Sequence, residues 1–309
     1  MQPFISVIIC THNPRRDYLE RVLQALKVQT LPTDLWELLL IDNASVQLLS
    51  EEIDLTWHPK SCHIREEQLG LTPARLRGIK EAVGETLVFV DDDNVLDPDY
   101  LEVTFKISKD FSIIGAWGGQ VIPELEQEPP QWIKPDLKNY LYSLACREFD
   151  RDSWSNLLHQ HETTPCGAGL CVRKIVAEKY AELVHNDSKR ADLDRKGQML
   201  TSCGDTDLAY AACDIGLGTG QFTYLKMTHL IPPSRLQEDY LLRLTEGLSY
   251  SGTILESMRG KLPPQPGWKS SKIYLLYLRL RYGTRRCRFY AAMQKGIRQA
   301  LQEIANWQN

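Results

Sequence analysis

The clearest chemical signal in the sequence is a run of three carboxylates, Asp91, Asp92 and Asp93. The run directly follows residues 86–90 (TLVFV), whose apolar and β-branched content predicts a buried strand. Because side chains alternate along an extended chain, we expect Asp91 and Asp93 to project to the same side. Neighbouring carboxylates repel one another, and a divalent cation would relieve that repulsion. The pattern therefore predicts a Mg²⁺ or Mn²⁺ site, with a solvated acidic turn as the alternative.

Alternating strand and helix patterns predict the framework that carries these carboxylates. Strands are expected at residues 5–10, 38–41, 63–64, 86–90 and 113–117. Helices are expected after the start signal at residues 13–14, with an apolar face over residues 18–26, and at residues 73–83 and 98–106. Such alternation predicts an α/β fold with a mostly parallel sheet that is covered by helices on both faces. Ligands of open sheets bind outside the carboxyl ends of the strands. Polar residues follow three of the predicted strands at this edge, beginning at Thr11, Asp42 and Asp91.

Five short segments together resemble the family 2 glycosyltransferases of the GT-A fold. They are residues 6–13 (SVIICTHN), 40–45 (LIDNAS), 69–79 (LGLTPARLRGI), 88–94 (VFVDDDN) and 204–208 (GDTDL), in the family's order and approximate spacing. The resemblance implies a Rossmann-like sheet flanked by helices. It also implies transfer of a sugar from a nucleotide-sugar donor with inversion at the anomeric carbon. UDP-sugars are the favoured donors, because UDP is the commonest donor nucleotide in the family.

The resemblance also implies roles for particular residues. Asp91 and Asp93 match the family's D-x-D motif and would hold Mn²⁺ or Mg²⁺, with His229 as a further ligand. The residues expected to bind the donor are Thr11, His12, Asn13, Asp42, Asn43, Gly70, Arg75, Asp91, Asp92 and Arg235. The residues expected to contact the acceptor and the transferred sugar are Gly167, Ala168, Gly169 and Asp207. From local sequence alone, a structural histidine and a tight turn before a strand remain alternatives for His229 and for the glycine segment.

Asp205 falls where the family has its catalytic base. An inverting displacement needs a carboxylate that takes the proton of the attacking hydroxyl. An Asp at the start of a predicted helix is also typical of an N-cap or first-turn residue, and Asp207 is an alternative base in the same segment. The chain departs from the family's pattern at Gly204, where an acidic residue commonly precedes the base, and at Leu76, where many members have Asn.

The resemblance divides the chain into a catalytic domain, residues 1–236, and a helical extension, residues 237–309. Residues 1–120 would bind the nucleotide sugar, and residues 121–236 would supply the acceptor and catalytic half. The acceptor is expected to be a hydroxyl of a glycan or a lipid-linked glycan, in the synthesis of a surface or extracellular polysaccharide.

The extension is strongly basic from residue 259. Residues 259–309 hold 11 Lys and Arg but one acidic residue, although the net charge of the whole chain is −4. Apolar residues recur there at near-helical spacing, at Phe289, Met293, Ile297, Leu301 and Ile304. A basic amphipathic helix suits an anionic membrane surface. The alternative is that its apolar face packs on the main domain and its arginines pair with acidic residues there. Prolines between residues 263 and 266 predict a linker before it.

Composition and missing motifs exclude other classes. An apolar content of 43% and a charged content of 25% are typical of a globular protein. The eight cysteines include no C-x-x-C pair, which favours free thiols in a reducing compartment. Without a secretory signal at its start or an apolar run of membrane-spanning length, the sequence indicates a cytoplasmic protein. Attachment to the inner face of the membrane would depend on the basic extension.

Three other functions are alternatives to this resemblance, and the sequence argues against each of them. A nicotinamide dehydrogenase is excluded because no G-x-G-x-x-G follows the first strand. A sugar nucleotidyltransferase would have a glycine-rich loop there, whereas residues 11–16 (THNPRR) contain no Gly. A non-catalytic nucleotide- or carbohydrate-binding module would be expected to lose the metal carboxylates or the base, and Asp91, Asp93 and Asp205 are all present. No nucleic-acid-binding motif accompanies the basic extension, so no nucleic-acid partner is expected.

Overall fold

The computed structural model describes residues 2–195, 200–261 and 272–307. Its strands are β1 (Ile5–Thr11), β2 (Trp36–Asn43), β3 (Ser61–Glu66), β4 (Thr86–Val90), β5 (Asn94–Leu96), β6 (Ile114–Leu125), β7 (Ser153–Ser155), β8 (Cys171–Arg173) and β9 (Gly218–Ile231). Its helices are α1 (Arg16–Lys27), α2 (Leu49–Glu52), α3 (Leu71–Glu81), α4 (Tyr100–Asp110), α5 (Leu137–Ser143), α6 (Lys174–Asn186), α7 (Gly204–Asp214), α8 (Glu238–Met258) and α9 (Lys272–Asn306). The predicted proline linker at residues 263–266 lies outside the described residues.

The strands form one sheet in the order β3-β2-β1-β4-β8-β6-β9-β5, and β7 pairs with β9. Strands β1 to β4 pair in parallel, as the alternating pattern predicted. Beyond β4 the sheet is mixed, because β8 runs antiparallel to both β4 and β6, and β5 and β7 run antiparallel to β9. Among the described strands beyond β4, only β6 and β9 pair in parallel. The prediction of a mostly parallel sheet therefore holds for the first half of the sheet and not for the second.

Alternating apolar side chains bury the parallel strands on both faces. In β1, Ile5, Val7 and Ile9 belong to a first hydrophobic cluster, and Ile8 belongs to a second cluster on the opposite face of the sheet. The first cluster includes residues of α1 and α4, and the second includes residues of α3, α6 and α7. In the register of β1 with β2, Thr11 pairs with Asp42. The carboxyl ends of β1 and β2 therefore meet at one edge of the sheet.

Helix α8 is the first helix of the extension and packs against the main part of the protein. It begins after the short 3₁₀ turn Pro233–Leu236, where the sequence predicted the domain boundary. Its Leu241 and Leu244 belong to the same hydrophobic cluster as Ile133 and Leu144. The extension and the predicted acceptor half thus share part of their core.

Helix α9 contains two segments, because the backbone kinks at Gly283, where φ is 87°. The second segment, residues 284–306, packs along α8 and pairs its cations with that helix. Arg285 and Arg288 contact Glu238 at 2.9 and 2.6 Å, and Lys295 contacts Glu246 at 2.8 Å. This segment therefore follows the alternative in which the basic helix packs on the rest of the chain. No helix in the described part of the chain is long and apolar enough to cross a membrane.

Candidate active site

A cavity of about 370 Å³ opens at the carboxyl ends of β1, β2 and β4. This volume is in the usual range for small-molecule sites. Most of the predicted site residues line it, namely Thr11, His12, Asn43, Gly70, Arg75, Asp91, Asp92, Asp93, Gly167, Ala168, Asp205, His229 and Arg235. Segments from distant parts of the sequence therefore converge on one site.

The three carboxylates form a tight turn between β4 and β5. The turn is closed by Asn94 N, which donates to Asp91 O at 3.1 Å. Asp91 and Asp93 line the same cavity, and Asp92 lines it as well because the backbone turns there and does not continue as an extended strand. Burial and the neighbouring Asp93 raise the pKa of Asp91, and the same two causes raise the pKa of Asp92 to about 6. Thr11 Oγ1 donates a hydrogen bond to Asp92 Oδ2.

Asp93 has a different environment, because the pairing of β5 with β9 brings His229 opposite Asn94. Asp93 Oδ2 lies 2.8 Å from Arg235 Nη2 and 3.5 Å from His229 Nε2. Burial opposes ionisation of Asp93, but its contact with His229 and the positive charge of Arg235 outweigh burial and lower its pKa to about 2. His229 Nδ1 is buried and has no hydrogen-bond partner among the residues that the structure describes. Asp93 is therefore an ionised carboxylate that Arg235 neutralises.

The fit of a metal ion depends on this turn. Within residues 2–195, 200–261 and 272–307, no group of three or more His, Cys, Asp and Glu side chains is arranged to hold a metal. The predicted set of Asp91, Asp93 and His229 is thus not assembled as a metal site in this structure, and Arg235 Nη2 lies 2.8 Å from Asp93 Oδ2. The carboxylate oxygens of Asp91 and Asp93 are nevertheless the ligands that Mg²⁺ and Mn²⁺ prefer. Their chemistry and mutual repulsion fit a divalent cation.

Asp205 lies across the cavity in the first turn of α7. Its Oδ2 accepts a hydrogen bond from Gly167 N at 2.6 Å, and its Oδ1 accepts one from Thr206 N at 2.7 Å. A Cβ atom at position 167 would lie 2.8 Å from Asp205 Oδ2, so this close approach requires glycine. Burial raises the pKa of Asp205, and the positive charge of Arg75 offsets part of that rise. The N-cap of α7 is Cys203, so Asp205 is a first-turn residue of the helix and not its cap.

Three predicted residues, Asn13, Asp42 and Gly169, lie outside the cavity lining. Asp42 Oδ1 accepts a hydrogen bond from Ser45 N at 3.0 Å, and Asn13 N donates to Ser45 Oγ at 3.0 Å. Gly169 O accepts a hydrogen bond from Tyr100 Oη at 2.6 Å. In this structure the three residues hold the loops around the cavity together.

Asp207 also lies away from the cavity, contrary to its predicted contact with the acceptor. Its buried carboxylate is held by Arg190 at 2.6 Å and by Arg259 at 2.5 Å. Arg259 also contacts Asp214 at 2.5 Å. Asp207 thus ties α7 to the end of α8, and its pairing with two arginines leaves it unsuited to act as a base.

A comparison with protein families bears on the same residues. The sequence profile described as "Glycosyl transferase family 2" matches residues 6–170, more than half of the chain. This stretch includes β1, the acidic turn and Gly167. The chain belongs to glycosyl transferase family 2.

Curated relatives of this family 2 member match it over short stretches. The glycosyltransferase AglE of Haloferax volcanii is 31% identical over 103 residues, which are 32% of this chain and 34% of that protein. The putative glycosyltransferase EpsH of Bacillus subtilis is 29% identical over 112 residues, which are 35% of this chain and 31% of that protein. The chain thus spans about a third of the length of these relatives.

Solved structures match over nearly the whole chain. S. aureus TarS residues 1–349, solved with UDP-GlcNAc, matches 98% of this chain and 92% of its own, with a TM-score of 0.54 at 15% identity. The mannosyltransferase PcManGT from Pyrobaculum calidifontis, solved with GDP-Man and Mn²⁺, matches 99% of this chain and 76% of its own, with a TM-score of 0.55 at 18% identity. These matches confirm the predicted GT-A fold of this family 2 member.

The structure of this family 2 member adds residues that sequence patterns did not single out. Arg195, Ala145 and Leu244 line the cavity, the last of them from α8. Asp194 is buried and contacts Arg75 at 2.8 Å. Asp194 and Arg195 lie in no apolar repeat and no motif, so the sequence offered no signal for them.

Proposed function

We propose that this protein is an inverting hexosyltransferase that transfers a sugar from a nucleoside-diphosphate sugar to a hydroxyl group. The observation that carries the proposal is the shared cavity of the acidic turn, Arg235 and Asp205. The turn and Arg235 offer a divalent cation and a positive charge to a diphosphate, whereas Asp205 offers a buried carboxylate to a reacting proton. UDP-sugars are the favoured donors, and the complexes of the structural neighbours with UDP-GlcNAc and GDP-Man support a donor of this class.

The proposed reaction is a single displacement. The oxygen of the acceptor hydroxyl forms a bond to the anomeric carbon and gives its proton to a carboxylate oxygen of Asp205. The bond from that carbon to the diphosphate oxygen breaks, and its electron pair leaves with the nucleoside diphosphate. A raised pKa makes Asp205 a stronger base than an exposed aspartate. Attack opposite the leaving group inverts the anomeric centre.

Asp91 and Asp93 are the residues that would hold Mn²⁺ or Mg²⁺, with His229 beside them. The bound cation would neutralise the negative charge of the leaving diphosphate. Arg235 lies within reach of both Asp93 and His229, at 2.8 and 3.1 Å. In the proposed complex Arg235 turns from Asp93 toward the diphosphate, and Asp93 becomes available to the cation.

The first test of the proposal is nucleotide binding, which needs no knowledge of the acceptor. We expect one of UDP, GDP, CDP and dTDP to raise the melting temperature of the protein in Mn²⁺ or Mg²⁺ but not in EDTA. Ligand at 100 times its Kd adds about 2.7 kcal/mol, or roughly 5 °C for a chain of this size. Thermal-shift and calorimetric titrations measure this effect. If no nucleotide stabilises the protein with either metal, the proposal is wrong.

The proposed acceptor is a glycan or lipid-linked glycan in surface polysaccharide synthesis, reached from the cytoplasmic face of a membrane. The first segment of α9, residues 272–282, supports this setting. It exposes a stripe of apolar side chains at helical spacing, Ile273, Leu276, Tyr277 and Leu280. Ile273 and Leu280 are 77% and 79% exposed, which is unusual for side chains of this size.

The charges beside this stripe favour an anionic lipid surface over a second copy of the chain. Residues 272–298 contain eight Lys and Arg and no acidic residue. Exposed Arg279, Arg281 and Arg286 have no carboxylate partner among the residues that the structure describes. A two-fold contact between copies would bring these positive charges together, whereas anionic headgroups would neutralise them.

A triple variant tests this surface in the full chain. Replacing Ile273, Leu276 and Leu280 with Ser should weaken binding to phosphatidylserine vesicles by about tenfold or more, because three apolar side chains no longer enter the bilayer interface. Vesicle co-sedimentation measures the change, and Ile113→Ser, at a 64% exposed apolar site in another region, is the matched control. Equal binding by the triple variant and the wild type would refute the membrane proposal. Loss of a dimer in the triple variant by light scattering would instead identify a second copy as the occupant.

A further inference from the structure

Asp194 has three contacts that converge beside the proposed base. Its Oδ2 accepts hydrogen bonds from Arg75 Nη1 at 2.8 Å and from Thr72 Oγ1 at 2.9 Å. Its Oδ1 accepts one from Gly204 N, the first residue of α7, at 3.2 Å. The side chain of Asp194 is 2% exposed, so these groups replace water for its charge. One buried carboxylate therefore joins α3, which carries Arg75, to α7, which carries Asp205.

The carboxylate of Asp194 also fills the space in front of Gly204. A Cβ atom built on Gly204 would meet all three atoms of that carboxylate, with Oδ1 at 2.7 Å. No side chain at position 204 can coexist with Asp194 in this position. The carboxylate thus occupies the volume that a side chain at position 204 would fill. At this position the family commonly has an acidic residue, whereas this sequence has glycine.

Arg75 lies between two carboxylates that compete for it. Its Nη1 contacts Asp194, and its Nη2 lies 3.1 Å from the point where a Cβ atom of Gly167 would be. Asp205 Oδ2 lies 2.8 Å from that same point. If Asp194 did not hold the guanidinium, Asp205 would be its nearest partner, and an ion pair there would weaken Asp205 as a base.

We propose that Asp194 is the positioning residue of this site, which supplies from a distant loop the carboxylate that position 204 lacks and keeps Arg75 from pairing with Asp205. The proposal rests on the assignment of Asp205 as the base. It differs from a packing role in one respect, because it requires the negative charge of Asp194 and not only its volume. Asp194→Asn keeps the volume and removes the charge.

A thermal double-mutant cycle tests the placement without any enzymatic assay. Gly204→Ala should lower the melting temperature of the wild type, because the added methyl group collides with the Asp194 carboxylate. In the background of Asp194→Gly, the same change should leave the melting temperature unchanged or raise it, because the collision is gone and Ala is the better helix former. Equal shifts in the two backgrounds would overturn the proposed placement.

The charge requirement is tested on the titration of Asp205. Among the residues that the structure describes, the groups that face Asp205 are Arg75, Asp194, Cys166 and Cys203, and Asp194 raises its pKa while Arg75 lowers it. In Asp194→Asn the midpoint of the Asp205 side-chain ¹³C titration should therefore move to lower pH. An unchanged midpoint in a folded Asp194→Asn variant would overturn the proposal.

Turnover provides the rescue experiment, with release of nucleoside diphosphate from UDP-N-acetylglucosamine and GDP-mannose as the probes and water as acceptor. Asp194→Ala should lower kcat more than it raises KM, and adding Gly204→Asp should restore part of the loss. Adding Gly204→Asn is the neutral control and should restore nothing. Equal recovery with Asp and Asn would overturn the charge requirement. If the wild type hydrolyses neither donor and binds no nucleotide, the proposed function fails, while the thermal cycle and the titration still decide the role of Asp194.

Discussion

Replacement of Asp205 by asparagine is expected to lower kcat by roughly 10²- to 10⁴-fold, the range measured for loss of a general base. Asparagine has the size of aspartate and can still accept the hydrogen bond from Gly167 N, but it cannot take a proton from the acceptor. Nucleotide binding should change little, since the acidic turn lies between β4 and β5 and Arg235 lies in the 3₁₀ turn Pro233–Leu236, whereas Asp205 lies in α7. Steady-state release of nucleoside diphosphate and calorimetric nucleotide titrations measure the two effects separately.

Asp214→Asn is the matched control for this variant. It makes the same chemical change at the other end of α7, outside the cavity lining, where Asp214 contacts Arg259. Its kcat should stay close to that of the wild type. If Asp205→Asn retained wild-type turnover, Asp205 would not be the base, and the mechanism proposed above would be wrong.

The pH dependence of turnover follows from the same carboxyl group. Because burial raises the pKa of Asp205 above its ordinary 3.8, the acid limb of kcat/KM should have its midpoint above that value. Below the midpoint the protonated carboxyl cannot accept a proton, so kcat/KM falls with falling pH. The folded protein binds this proton more tightly than the unfolded chain, so its contribution to stability is present at low pH and is lost as pH rises through the folded pKa. Asp205→Asn should therefore melt no lower than the wild type at neutral pH.

The framework of the site could be predicted from sequence because its signals are local. The run from Ile5 to Cys10 is apolar and β-branched, and its burial on both faces follows from that composition alone. Strands β5 and β8 have three residues each, which is too short for any periodicity to appear. Their antiparallel pairing is determined by tertiary contacts, so the mixed half of the sheet could not be predicted from the sequence.

The wrong and missing predictions of site residues also have specific structural causes. Asp205 and Asp207 are two residues apart, so the α-helix that begins at Gly204 directs them to different sides, and only Asp205 lines the cavity. Had that helix been assigned its first residue from sequence, Asp207 could have been excluded. Asp194 could not have been found, because its role depends on the space left by Gly204, and a space in a fold has no signature in one sequence.

The basic extension illustrates the limit of periodicity. Both segments of α9 have apolar residues at helical spacing, and such spacing predicts an apolar face but not what covers it. In the second segment α8 covers that face, with Glu238 and Glu246 as partners for its cations. In the first segment, nothing in the described part of the chain covers Ile273 or Leu280. The kink at Gly283 separates the exposed first segment from the covered second segment.

Asp93 should be essential for the metal-dependent part of nucleotide binding. In Asp93→Ala, the stabilisation of about 5 °C expected for the wild type with nucleotide and Mn²⁺ should disappear, because one of the two cation ligands is removed. Asp93→Asn should behave in the same way while it keeps its hydrogen bond with Asn94 Nδ2, which now spans 3.0 Å. Because loss of the ion pair with Arg235 itself lowers the melting temperature, the nucleotide-induced shift is measured against each variant's own melting temperature without ligand. Asp99→Asn, at an exposed carboxylate of the same segment, is the control.

Arg235 makes this prediction sharper, because Arg235 and a cation compete for the same oxygen of Asp93. Arg235→Gln should raise the affinity for Mn²⁺ alone by about tenfold or more, since a positive charge within 4 Å of the ligand is removed. It should lower the affinity for the nucleoside diphosphate, which loses its cationic partner. Asp93→Asn should instead lower the affinity for Mn²⁺. Metal titrations without nucleotide measure the Mn²⁺ affinity of both variants. Equal Mn²⁺ affinity in the two would show that the cation binds elsewhere and that Arg235 does not compete with it for Asp93.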